Sequence, residues 1–191
     1  DVQPYLDELK AAGEMPVEIG ITGGEPFMAP EIIDILRAAL SDGHSVLVLT
    51  NAMQPMMRPR VQEGLLELLE TYEDQITLRV SLDHYSAEKH DEERGQHGFV
   101  QTCRGIAWLA ENGFRVAIAG RTMWHEDEAE ARIAYGELME KLGVDIDPED
   151  ATELVLFPEM EPADDPPEIT TECWGILSKD PGEIMCASQR M

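Results

Sequence analysis

Lysine is scarce in this chain and cysteine scarcer: four lysines (Lys10, Lys89, Lys141, Lys179) and three cysteines occur in 191 residues. An odd number of scattered cysteines argues against a secreted disulfide framework. The formal net charge is −25, with 39 acidic residues against 14 basic ones. Such a surface repels phosphate backbones and anionic lipid, so neither a nucleic acid nor a membrane is expected as a partner. No apolar run reaches the length of a membrane span, and none of the 191 residues form a basic-then-apolar leader. A cytoplasmic location is therefore expected. An acid-rich, lysine-poor surface also suits a salty medium, which speaks of habitat rather than activity. Phosphate-binding glycine loops (GxGxxG, GxxxxGK[ST]) and the GxSxG elbow of serine hydrolases are missing too.

What is present is alternation. Val2, Tyr5, Leu6 and Leu9 recur at helical spacing before Gly13, and residues 17 to 22 then read as a strand. Ile32, Ile33, Leu36 and Leu40 mark a helix with Pro30 in its first turn. "SVLVLT" (45–50) is a buried-type strand, and Val61, Leu65, Leu68, Leu69 and Tyr72 mark the next helix. "ITLRVSLD" (76–83) alternates as a strand. Phe99, Cys103, Ile106, Ala107 and Ala110 mark the helix after it, and "VAIAG" (116–120) is a strand. Asp127 with Glu130 suggests a capping box for a helix carrying Ala131, Ala134, Leu138 and Leu142, and "ELVLF" (153–157) closes the series. The hydrophobic content of 43% suits one domain with a sizeable core.

Strands separated by helices of this length pair in parallel, giving an open doubly wound sheet or part of a (β/α) barrel. In both, ligands bind at the carboxyl ends of the strands. Four stretches follow strands: Thr22 to Pro26, Thr50-Asn51, Ser81 to His84, and Gly120 to Thr122. Gly23 and Gly24 leave room for a ligand against the backbone, and Pro26 holds Glu25 extended, where its carboxylate suits an ammonium group. A tight turn with an exposed glutamate is the plainer alternative. Period-2 alternation places Thr77, Arg79, Ser81 and Asp83 on one face, opposite Ile76, Leu78, Val80 and Leu82. Ala117 and Ala119 share a face with Arg121, leaving a cavity beneath a guanidinium suited to a carboxylate; an ordinary ion pair is the alternative. Cys103 falls on an apolar stripe and reads as a packed thiol. His84, His90 and His97 fit no metal-ligand spacing and are expected on a solvated loop, and His125-Glu126-Asp127 reads as a helix cap.

Four of these segments, in order, resemble the radical S-adenosylmethionine (SAM) enzymes. "ITGGEPF" (21–27) is similar to that family's second-strand motif. "VLVLTNA" (46–52) is similar to its third-strand ending, with Ala52 where a glycine is usual. "VSLDHYSAEKHDEERGQHGF" (80–99) resembles its fourth strand and loop, and "LAENGFRVAIAGRT" (109–122) its entry to the fifth strand. The resemblance covers residues 1 to 157 and implies an α/β fold, a partial (β/α)6 TIM-like barrel of which strands two to six are here. It implies that Gly23, Gly24 and Glu25 meet the methionyl ammonium of SAM, with Thr50 and Asn51 close by. Ser81 would lie near ribose or methionine, Asp83 beside the cofactor, and Arg121 near the methionyl carboxylate. The implied activity is reductive cleavage of SAM to a 5′-deoxyadenosyl radical that abstracts hydrogen from a small-molecule or peptide substrate, with flavodoxin or ferredoxin as electron donor.

The family's CxxxCxxC, whose thiolates hold three irons of a [4Fe–4S] cluster, is absent from these residues. Truncation is the expected reason, placing the motif upstream of Asp1 and leaving this chain inactive alone. Residues 158–171 read as an acidic, proline-rich linker and 172–191 as the start of a further segment. There Cys173 and Cys186 are candidate ligands of an auxiliary iron–sulfur cluster, though two cysteines are too few for one. Two alternatives stay open: a degenerate barrel that binds a nucleotide-like ligand without redox chemistry, and a flavodoxin-like α/β binding module.

Overall fold

The computed structural model describes residues 2–13, 16–123, 126–159, 170–171 and 174–175. The chain divides into two compact units, Asp1–Glu159 and Met160–Met191, and the elements below belong to the first. Cys173 and Cys186 lie outside the described residues.

Each apolar segment becomes a strand: β1 (Glu18–Ile21), β2 (Ser45–Thr50), β3 (Ile76–Ser81), β4 (Arg115–Thr122) and β5 (Leu154–Pro158). The helices are α1 (Gln3–Ala12), α2 (Ile32–Ser41), α3 (Pro59–Tyr72), α4 (Ala87–Arg94), α5 (Gly98–Glu111) and α6 (Glu128–Lys141). Helix stops follow the expected chemistry: Gly13 caps α1 in the left-handed region at φ 75°, a conformation that a side chain would strain. Asp127 accepts from the Ala129 and Glu130 amides and so caps α6.

All five strands are parallel and lie in sequential order, β1-β2-β3-β4-β5. Every crossover therefore advances one strand in the same direction. A flavodoxin-like sheet must instead reverse at a switch point, and that alternative falls. The sheet curls into a half-barrel. Its convex face buries Val46, Val48, Ile76, Leu78, Val80, Val116 and Ile118 beneath the helices. Register puts Leu47 beside Thr77, Leu49 beside Arg79, and Arg79 beside Ala117 on the concave face. Leu47, Thr77, Arg79 and Ala117 line one hollow of about 620 Å³ there, towards the strands' amino-terminal ends. Among the described residues no helix is long and apolar enough to cross a membrane.

Several expectations need correction. The stretch between β3 and α5 is not a solvated loop. It contains α4, and both His84 and His90 are buried. Helix α4 has no apolar stripe, so the periodicity that reveals other helices had nothing to read. Pro30 precedes α2 rather than opening it, and a 3-10 turn, Pro26–Met28, comes first. The buried face of α6 is Ala131, Tyr135 and Met139, with Leu138 and Leu142 only partly covered. On α5 the buried residues are Gly98, Thr102, Gly105, Ile106 and Leu109, and Cys103 is half-buried. Burial still pushes the Cys103 thiol up to about 11, so it stays a thiol at neutral pH.

Candidate functional site

At the end of β1 the chain does what Gly-Gly-Glu-Pro dictates. Gly23 takes φ 130°, open in practice only to glycine, while Glu25 is extended at φ −145°, ψ 112° ahead of Pro26. A Cβ at Gly24 would meet nothing within 4 Å, and Gly24 has no positive φ. The protein's own packing therefore does not require glycine at Gly24, and the space in front of it is open.

Glu25 is not a dangling carboxylate. Its Oε1 accepts from the Phe27 amide at 3.2 Å and from Thr50 Oγ1 at 2.9 Å, and its Oε2 accepts from the Asn51 amide at 2.8 Å. Three of roughly four acceptor positions are filled, and one is left for an incoming donor. The side chain thus staples the end of β1 to the end of β2. Thr50 is buried, and its hydroxyl also accepts from the Ala52 amide. Asn51 Oδ1 accepts from the Met53 amide, tightening the turn. Ala52 sits at φ 53°, the left-handed region, which is the physical reason a glycine is usual there. Helix α5 closes on this turn: Thr102 donates to the Asn51 carbonyl, and a Cβ on Gly105 would lie 1.9 Å from the Ala52 oxygen.

The ends of β3 and β4 carry one charge of each sign, Asp83 and Arg121. Ser81 is half-buried on the concave face, paired in register with Ala119. Asp83, on the polar face just past β3, is buried: it is 4% exposed, and its carboxylate is gripped by Arg94 through Nε and through Nη2, the latter at 3.1 Å. Burial alone would raise this carboxyl, but the Arg94 hydrogen bond and the charges of Arg94, Arg121 and His90 outweigh it and hold the group below the usual carboxylate range. Arg121 lies on the concave face with Ala117 and Ala119, and Ala117 lines the hollow. Its guanidinium is 3.5 Å from Asp83 and 3.6 Å from Glu93. The plainer ion-pair reading of Arg121 is thus part of the picture. Arg94 also feels the charge of Glu25, which ties the two sides of the mouth together electrostatically.

A second layer fixes the β3 and β4 ends. The Tyr135 hydroxyl donates to the Leu82 carbonyl at 3.0 Å and accepts from the Arg121 amide at 3.2 Å. A Cβ on Gly120 would lie 2.4 Å from that hydroxyl, which accounts for the glycine in Ala-Gly-Arg. Glu126 accepts from Tyr85, from His84 at 3.2 Å and from the Met123 amide at 3.0 Å. The Ser86 amide donates to His84 Nδ1, so Nε2 carries the proton towards Glu126. Donation to that carboxylate, aided by burial, pushes the Tyr85 phenol up to about 12. Among the described residues no group of three His, Cys, Asp or Glu side chains is placed to hold a metal ion, and His97 is exposed.

Sequence reasoning placed Glu25, Thr50, Asn51, Ser81, Asp83 and Arg121 at strand ends, and there they are. It gives no role to Arg94, Glu93 or Tyr135, and it reads Glu126 as part of a helix cap. Arg94 was visible only within Arg-Gly, and Tyr135 was hidden by a one-residue error in the phase of its helix.

The sequence profile of the Radical SAM superfamily matches residues 2–134. The chain belongs to that superfamily. Antilisterial bacteriocin subtilosin biosynthesis protein AlbA of Bacillus subtilis (strain 168) is 36% identical over 129 residues, 62% of this chain and 28% of that protein. AdoMet-dependent heme synthase of Methanosarcina barkeri is 32% identical over 115 residues, 60% of this chain and 30% of that protein. This radical SAM chain thus spans less than a third of those relatives. The crystal structure of Streptococcus suis SuiB bound to S-adenosylmethionine superposes with a TM-score of 0.59 at 16% identity, covering 85% of this chain and 34% of SuiB. At that identity the likeness concerns fold: the half-barrel is the partial TIM-like barrel of this superfamily. Membership supports SAM-dependent radical chemistry, with SAM and a [4Fe–4S] cluster as the family's cofactors.

Proposed function

We propose that the mouth formed by the ends of β1 to β4 binds the methionine and ribose parts of SAM in a radical SAM enzyme. The observation carrying this reading is the charge arrangement: a glutamate with one acceptor position left at the end of β1, and an arginine on the concave face at the end of β4. An amino acid's ammonium and carboxylate need that complement. Glu25 would take the ammonium and Arg121 the carboxylate, with open space at Gly23 and Gly24 for backbone approach. Thr50 and Asn51 hold Glu25, Ser81 faces the ribose or methionine, and Asp83 acts by fixing Arg121.

The chemistry supplied when SAM and a [4Fe–4S] cluster are bound is reductive cleavage of SAM to a 5′-deoxyadenosyl radical that abstracts hydrogen from substrate. This chain's residues orient the amino-acid end of SAM and exclude water. The relatives' names point two ways, a bacteriocin biosynthesis protein and mycofactocin maturase MftC of Mycobacterium ulcerans (30% identical over 112 residues) towards a peptide and the heme synthase towards a small molecule, so the substrate is a peptide or a small molecule. An electron donor of the flavodoxin or ferredoxin type and a cytoplasmic setting complete the reading. The test is calorimetric titration of SAM into the reconstituted full-length protein. Arg121→Gln should weaken binding roughly tenfold to hundredfold, the scale of one charged hydrogen-bonded contact. Undiminished affinity would remove Arg121 from the site.

A further inference from the structure

Arg121 has two carboxylate partners, and they are held very differently. Asp83 cannot leave. Its side chain is 6% exposed, Arg94 grips both of its oxygens, and its backbone carbonyl accepts from the Arg121 amide at 3.1 Å. Glu93 has no such restraint. Its side chain is 41% exposed, its Oε2 stands 3.6 Å from Arg121 Nη1, and it makes no other ion pair among the described residues. At that distance the contact is an ion pair without a close hydrogen bond, the kind that exchanges readily for a better one. The Arg121 side chain itself remains 42% exposed, so it is reachable from solvent.

We propose that Glu93 is an intramolecular stand-in for the carboxylate of the amino-acid ligand, holding Arg121 aimed until that ligand displaces it. This rests on the reading of Arg121 as the carboxylate anchor. A planar guanidinium offers paired N–H groups that match a carboxylate, so an arriving ligand carboxylate gains what the 3.6 Å contact lacks. Asp83, fixed by Arg94, stays in place throughout beside Nε, leaving the Nη edge for exchange. Helix α4 thereby does two jobs with adjacent residues: Arg94 locks the permanent partner, and Glu93 provides the temporary one. The arrangement also discriminates, because a ligand without a carboxylate has nothing with which to replace Glu93.

The experiment measures equilibrium binding, not turnover, of SAM and of decarboxylated SAM to the reconstituted full-length protein. The variants are Glu93→Gln, Arg121→Gln and, as a control for simple loss of charge, Glu92→Gln; Glu92 is the exposed neighbour on the same helix. Removing a competing exposed pair should tighten SAM about two- to fivefold in Glu93→Gln. Glu92→Gln should leave SAM affinity unchanged, and decarboxylated SAM should not gain in Glu93→Gln. Wild-type or weaker SAM binding by Glu93→Gln, with affinity lost in Arg121→Gln, would overturn the stand-in while keeping the anchor. Equal tightening in Glu92→Gln would reduce the effect to general electrostatics and overturn it as well. Wild-type SAM binding by Arg121→Gln would overturn the anchor reading itself.

Discussion

Replacing Glu25 by alanine should damage the fold as well as any ligand site, and the size of that damage follows from its three donors. Two of them, Thr50 Oγ1 and the Asn51 amide, lie 25 and 26 residues away, so the carboxylate joins the ends of β1 and β2. Thr50 is 1% exposed, and without Glu25 its hydroxyl loses an acceptor that water cannot easily replace. The contact to the Phe27 amide is the longest of the three, at 3.2 Å, and counts for less. Allowing about 1–2 kcal/mol each for the Thr50 and Asn51 donors and about half that for Phe27 gives a loss of roughly 2.5–5 kcal/mol. Glu25→Gln keeps one acceptor oxygen but turns an NH2 towards a donor, and should cost about 1–2 kcal/mol. Urea denaturation at pH 7, followed by circular dichroism, measures both. Glu25→Ala unfolding at the wild-type midpoint would refute the staple. Any loss of SAM binding in that variant must be read beside its stability.

Gly105→Ala should be more damaging still, roughly 3 kcal/mol or more, because the new methyl meets backbone rather than a movable side chain; a melting temperature within about 2 °C of wild type would contradict the packing of α5 on the Ala52 turn. His90 should make the fold sensitive to mild acid. It is fully buried, both ring nitrogens lack hydrogen-bond partners among the described residues, and burial lowers its pKa. A depressed folded value means that its stability contribution is present above about 6.5 and falls as pH drops below it, by up to about 1.4 kcal/mol per pH unit. His84 is lowered in the same way and leaves part of the slope. His90→Leu should therefore flatten the stability profile between pH 6.5 and 5 without abolishing the slope, and an unchanged profile would refute the assignment.

Much of the half-barrel could be read before its coordinates, because the strands are short apolar runs and α2 and α3 carry regular stripes. The positions of Glu25 and Arg121 are legible for a similar reason: glycine and proline mark where a strand stops, and alternation gives the face. The remainder is long-range. Helix α4 is polar throughout, so only its contacts reveal it, namely Arg94 on Asp83 and the His90 ring against Phe99 at 5.9 Å. Asp83 continues the polar face of its strand, yet its partner lies 11 residues on, and nothing in the alternation foretells its burial. Likewise, Glu126 reads as part of a helix cap, while its partners His84 and Tyr85 are some 40 residues earlier.

The central claim, that SAM lies against the end of β1, is tested most directly at Gly24, where the fold itself leaves side-chain space unused. The measurement is SAM affinity of Gly24→Val in the reconstituted full-length protein, with its melting temperature recorded alongside. A wild-type melting temperature is expected, since nothing lies within 4 Å of the added Cβ. SAM binding should fall by more than about tenfold, because the side chain would occupy the room through which the ligand reaches the backbone. A variant that melts as wild type and binds SAM as wild type would contradict the account.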